Sequence, residues 1–203
     1  MKQIERRLGI ARSTVSLWVR EVELPDHQRA VIVRRGVKTG HVARSAYYRT
    51  KRRAAQEEGR QAARRRESLH VAGCMLFWGE GSKHRNMVQL ANSDPAMVAL
   101  FARFLRRYFE PPDDSLRLMC NLFADHEERQ REIEDFWLAT AGLSRSSLTK
   151  STVNRYSRAS KRTRINRLPY GTCRLTFYST RAAQHIYGAI QEYGGFERPE
   201  WLD

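Results

Sequence analysis

The run Gly73-Cys74-Met75-Leu76-Phe77-Trp78-Gly79-Glu80-Gly81-Ser82 limits the folds open to this chain more than any other stretch. Its apolar part suits a helix, which Gly-Glu-Gly then ends abruptly. The Glu80 carboxylate is left at the helix C-terminus, where the negative end of the macrodipole disfavours an anion. A surface helix ends more comfortably in Lys or Arg. An acid held there is relieved by a cation such as a divalent metal. Read without function, the same run is a Gly-rich helix stop.

The rest of the composition narrows the partner. The chain has 203 residues, enough for one sizeable domain and a small one, and 41% hydrophobic residues supply a packed core. A formal charge of +15 favours a polyanion, because neutralising phosphates releases counterions. Cys74, Cys120 and Cys173 sit singly in apolar stretches and read as buried thiols of a reducing compartment. The six histidines lack ligand spacing. There is no apolar run of about 18 residues and no secretory signal, so a cytoplasmic protein without a membrane partner is expected.

Residues 1–25 are expected to form a helix-turn-helix module. Ile4 and Leu8 give a first helix its apolar face, and Gly9 suits the positive φ of a turn. Ile10 inserts between the helices, Ser13 caps the second, and Val15, Trp18 and Val19 face inward. Arg12, Ser13, Thr14, Ser16, Leu17 and Arg20 remain for DNA. Hydroxyls and guanidiniums suit base edges and phosphates, and one apolar side chain suits a thymine methyl. The first helix lacks a preceding partner, so an upstream start or another segment must cover Ile4 and Leu8. An ordinary helical hairpin is the plain alternative.

A basic connector is expected over 26–68. Residues 26–41 have no clean period, whereas 42–68 are rich in helix formers. There Arg44, Arg49, Lys51, Arg52, Arg53, Arg60, Arg64, Arg65 and Arg66 face only Glu57, Glu58 and Glu67. The expectation is a long exposed helix whose arginines, Arg64, Arg65 and Arg66 above all, track phosphates without reading sequence. A solvated basic helix is the competing reading.

From Leu69 onward the rhythm is mixed. An apolar helix to Trp78 precedes a strand over 87–93. Asn92-Ser93-Asp94-Pro95 then starts a helix that Pro111-Pro112 stops. Leu116, Leu118, Cys120 and Leu122 alternate with polar residues as a strand does. Residues 127–141 form a helix closed by Gly142, and 150–168 form a basic loop. Cys173, Leu175 and Phe177 mark another strand, and Ser179 or Thr180 caps a last helix through Tyr193. The tail folds back through Phe196 and Trp201. Arg117, Asn121, Arg174 and Thr176 would share a solvent-facing sheet surface suited to a DNA groove, or form an ordinary polar face.

Over residues 70–193 this order resembles the αββαββα core of LAGLIDADG homing endonucleases and their non-cleaving relatives. Ala72–Gly79 stands at the signature helix, and Met87-Val88-Gln89-Leu90-Ala91-Asn92-Ser93-Asp94 at a strand entering the second helix. The first strand is placed near Gly81–Arg85, and the helix at 127–141 is an insertion. The expected class is therefore α+β: a helix-turn-helix (1–25), a basic connector (26–68) and a LAGLIDADG-like domain (69–203). Bacterial regulators that join these two parts set the precedent.

In that family the acid before the motif's last glycine binds the catalytic metal, and the matching residue is Glu80. The resemblance therefore implies two outcomes: a sequence-specific regulator of transcription that binds double-stranded DNA, or a Mg2+-dependent endonuclease. With one motif per chain, cleavage requires a homodimer that brings two Glu80 carboxylates together. Lys83, His84 and Arg85 lie beside it. Trp78 stands where the enzymes commonly carry another acid, and Ala72, Gly73 and Gly79 supply the small residues of a helix seam. A general basic RNA-associated protein is the third reading.

Overall fold

Val88, Leu90, Leu118, Cys120, Cys173 and Leu175 are all fully buried, and they occupy alternate positions of three adjacent strands. That alternation sets the layers of the protein's larger unit. The computed structural model describes residues 2–20, 22–112, 115–154 and 168–202, with side chains omitted for 2, 3 and 35–39. The chain divides into two compact units, Met1–Tyr47 and Tyr48–Asp203. Most of the expected basic loop, residues 155–167, lies outside the described residues.

The smaller unit contains helix α1 (Lys2–Leu8), helix α2 (Arg12–Trp18) and the first part of helix α3 (Asp26–Arg64). Gly9 makes the turn at φ +64, and its N–H closes α1 by donating to the Glu5 carbonyl at 2.9 Å. Val15 is fully buried and Ile10 and Val19 are half-buried. Trp18 is not an inward residue; it is 59% exposed. Two seven-residue helices form a seam deep enough for Val15 but not for an indole. Ile4 and Leu8 are exposed as well. Ser13 does not cap α2: Ala11 holds the N-cap position without a side-chain hydrogen bond, and Ser13 lies inside the helix.

Helix α3 starts directly after Pro25, although residues 26–41 show no helical period. In the larger unit its course departs from the exposed connector expected over 42–68. Ala55, Gln56, Gly59, Ala62 and Ala63 form a buried stripe. This stripe meets helix α7 (Thr180–Gly194) at backbone distance: a Cβ on Gly59 would collide with the His185 carbonyl, and one on Gly188 with the Gln56 carbonyl. Gln56 donates to Gln184 Oε1 at 2.7 Å and accepts from Gln191 Nε2 at 3.3 Å, so the amides buried at this crossing are satisfied. The tail locks it further. Arg52 donates to the Leu202 carbonyl at 2.6 Å, and Trp201 packs on Tyr187.

Helix α4 (Ser68–Glu80) buries His70, Gly73, Cys74 and Phe77, an i, i+3, i+4, i+7 stripe. Gly73 lies on the Phe104 ring of helix α5 (Pro95–Phe109), where no Cβ fits. Asp94 caps α5 through Ala96 and Met97, ahead of Pro95 at the first turn. Strands β1 (Gly81–Ser82), β2 (Val88–Asn92), β3 (Leu116–Phe123), β4 (Thr152–Asn154) and β5 (Thr172–Phe177) form one sheet in the order β1-β2-β5-β3-β4. Every pairing is antiparallel except β3 with β4.

Helix α6 (Gln130–Ala141), closed by Gly142 at φ +61, and β4 fall between β3 and β5. Without them the order is α-β-β-α-β-β-α. Ser179 caps α7 by accepting from the Ala182 N–H. Phe77, Phe101, Phe104, Leu105, Ile133, Trp137, Ile186 and Ile190 fill one core with the inward strand residues. Each such side chain contributes about 1.5–3 kcal/mol by leaving water. The class is mixed α and β. Among the described residues no helix is long and apolar enough to cross a membrane.

Candidate nucleic-acid interface

Register assigns the residues of the sheet face turned away from that core. Ser82 pairs with Gln89, Gln89 with Thr176, and Thr176 with Arg117, so these four form one row across β1, β2, β5 and β3. The next row holds Ala91, Arg174 and Met119; a third holds Thr172, Asn121 and Thr152. Residues directly opposite one another point to the same face. The surface is therefore polar and basic, and none of these strand positions is acidic.

Three of the four side chains expected there, Arg117, Asn121 and Arg174, are half-buried and reach this face. Thr176 departs from expectation: it is only 5% exposed. Its Oγ1 accepts from Gln89 Nε2 at 3.1 Å, so the longer glutamine side chain lies against it. Asn121 Oδ1 accepts from Thr152 Oγ1 at 2.9 Å. Gln89 and Thr152 were not among the expected contacts. The alternation of β2 carries the signal for Gln89, whereas pairing with β4 is not legible without the register.

Arg117 and Arg174 are diagonal neighbours on β3 and β5, a separation of about 7–8 Å between backbones. Neither joins an ion pair among the described residues. Basic groups on the helical side behave differently. Arg64 binds both oxygens of Glu192, at 2.9 and 3.3 Å; Arg60 reaches Glu197 at 2.6 Å; Arg181 holds Glu58 at 2.9 Å. Arg65 pairs with Glu67 at 3.2 Å. Of the expected phosphate-tracking trio Arg64, Arg65 and Arg66, two are thus committed to carboxylates. Arg66, at φ +53 where the chain leaves α3, is exposed.

Glu80 is the last residue of α4 and is exposed. The cation that this helix end requires is supplied within the chain. Lys83 Nζ donates to the carbonyls of Phe77 at 3.0 Å, Trp78 at 2.7 Å and Gly81 at 2.6 Å. One ammonium thus caps the helix end, adding to the Gly81 N–H that already donates to the Phe77 carbonyl. Partial burial lowers the pKa of Lys83, and the Glu80 carboxylate opposes that shift. Lys83 is therefore a helix cap, not a free assistant beside Glu80. Gly73, expected in a seam between helices, is instead spent on Phe104 of the same chain, and Gly79 is open to solvent.

In the smaller unit Arg12, Ser13, Ser16, Leu17 and Arg20 are exposed, and Thr14 is half-buried. All six belong to α2 or follow directly from it, so they form a surface of their own. The three cysteines are buried and unbonded, and burial pushes their thiols well above the usual range, to about 12 for Cys120. Among the described residues no three His, Cys, Asp or Glu side chains converge as a metal site. One exposed carboxylate beside a lysine is an incomplete donor set for Mg2+. Comparison with protein families, with curated proteins and with solved structures returned no match.

Proposed function

We propose that this is a sequence-specific double-stranded DNA-binding protein, regulator-like and cytoplasmic. The carrying observation is the outer sheet face, where Arg117 and Arg174 have no carboxylate partner among the described residues and lie beside Gln89 and Asn121. Unpaired guanidiniums at diagonal positions repel each other, and a phosphate chain or a guanine edge relieves that repulsion. Amides beside them add base-reading donors and acceptors. The net charge of +15 supplies the long-range attraction. The α1–α2 pair offers a second, independent surface of the helix-turn-helix kind. The α-β-β-α-β-β-α order supports the likeness to LAGLIDADG-like domains.

The endonuclease reading rests on one feature, the exposed Glu80 at the end of α4. It requires the carboxylate of a second copy to complete a Mg2+ site, because a single carboxylate supplies too few oxygen ligands to hold the ion. Capture of genomic DNA fragments on the purified protein, in parallel in Ca2+ and Mg2+, separates the readings. Enriched fragments that stay intact in both ions support the reader. Fragments broken at one fixed position in Mg2+ alone support the nuclease, and no enrichment over random fragments defeats both.

A further inference from the structure

We infer that Gln89 is a specificity-determining residue that reads an adenine in the major groove, and that Thr176 is the positioning residue that aims it. The inference rests on the DNA-binding reading and assigns its chemistry to one row of the sheet. Gln89 lies between Ser82 and Thr176 in that row, with Arg117 one strand farther on.

A surface glutamine has three side-chain torsions and loses much rotamer freedom when it binds. Gln89 is half-buried on a central strand, and one amide N–H is already given to Thr176 Oγ1 at 3.1 Å. Thr176 is held in turn by its strand pairings on both sides and by its burial. The Gln89 amide therefore meets a ligand with its plane set and with one donor and one acceptor remaining. Adenine presents the complement in the major groove, an N6 donor beside the N7 acceptor.

Guanine presents two acceptors there, and cytosine a lone donor, so each leaves part of the amide unpaired. Arg117, about 10 Å away across two strand spacings, can engage a phosphate or a guanine of the same site. Successive outward rows lie about 6.7 Å apart, close to the rise of two base pairs, so one residue per row meets alternate steps.

Selection from a random duplex library with the full chain tests this, using wild type, Gln89→Glu, Gln89→Ala and Thr176→Val, with thermal melting to establish folding. Wild type should select a site with an adenine favoured about tenfold or more at one position. Gln89→Ala should lose that preference alone and keep the rest of the site. Thr176→Val should weaken it at the same position.

Gln89→Glu lacks the amide donor and should shift that position toward cytosine, whose N4 group donates. Damage to the fold would not create a new preference, so this variant keeps the test decisive if the others melt early. An unchanged site in Gln89→Ala and Gln89→Glu overturns the assignment and leaves DNA binding intact. A wild type that binds no duplex overturns the DNA-binding reading and this assignment with it.

Discussion

His70 Nε2 lies 3.0 Å from His185 Nε2 where α4 meets α7, and His70 Nδ1 lies 2.7 Å from the Tyr193 hydroxyl. A single proton sits between the two Nε2 atoms, so the two rings cannot both be imidazolium without breaking the pair. Both pKa values are lowered to about 4, chiefly by burial, with the neighbouring His70, Arg181 and Arg65 adding to it for His185. Glu67 pulls His70 the other way, but more weakly than burial.

The consequence is a pH dependence of stability. The folded state disfavours the charged rings, so their contribution is complete above the ordinary histidine pKa of about 6.5 and declines as pH falls toward 4. One ring shifted this far is linked to about 3 kcal/mol. The melting temperature should fall steadily between pH 7 and pH 4.5, and less steeply in His185→Gln. Carboxylates held down by partners, such as Glu192 beside Arg64, lose their contribution only from about pH 5.5 downward, so the upper part of this window belongs to the histidines. A flat profile from pH 7 to 4.5 would remove the pair from the account.

Gly59→Ala and Gly188→Ala should each destabilise the larger unit by about 1–3 kcal/mol, because the added methyl strikes backbone across the α3–α7 crossing. Gly79→Ala, where nothing opposes a Cβ, should be neutral or slightly stabilising. Urea unfolding of the three variants checks the contrast. Equal stabilities would mean that α3 is not docked on α7 as described.

Lys83→Met should cost about 1–2 kcal/mol in the same assay, since it keeps the stem and removes the donor to three helix-end carbonyls. Glu80→Gln should leave stability and DNA binding unchanged. If Mg2+-dependent cleavage is found, this second variant should abolish it; cleavage that survives would take Glu80 out of the chemistry.

The double variant Arg117→Ala, Arg174→Ala should weaken binding to duplexes of any sequence, and the slope of log K against log salt should shrink by up to about two. Arg64→Ala, whose guanidinium is already held by Glu192, should change that slope less. The opposite ranking would move the phosphate contacts to the helical side of the molecule.

Much of the larger unit's order was legible in the sequence, because its signals are local. The alternation of Leu116, Leu118, Cys120 and Leu122 marks a strand, Asp94-Pro95 a helix start, Gly142 a helix end and Ser179 a cap. The docking of α3 was hidden. Its buried stripe consists of Ala, Gly and Gln, which look solvated until a partner helix approaches at backbone distance.

Within the site, the side toward which Arg117 and Arg174 point follows from alternation alone. The shielding of Thr176 by Gln89 does not, because it depends on which strands become neighbours. The same is true of Lys83: its distance along the chain from Phe77 gives no hint that the ammonium folds back over the end of α4. Trp18 misled for another reason. Its helical spacing from Val15 is correct, but two short helices cannot enclose it.

Sequence-specific recognition of duplex DNA is read most directly from the affinity of the full chain for its best captured fragment and for a scrambled duplex of the same composition and length, at one fixed near-physiological salt concentration. The account predicts a ratio of about a thousandfold or more, the range of specific over non-specific binding. Equal affinities would contradict it and leave only a basic protein attracted to polyanions.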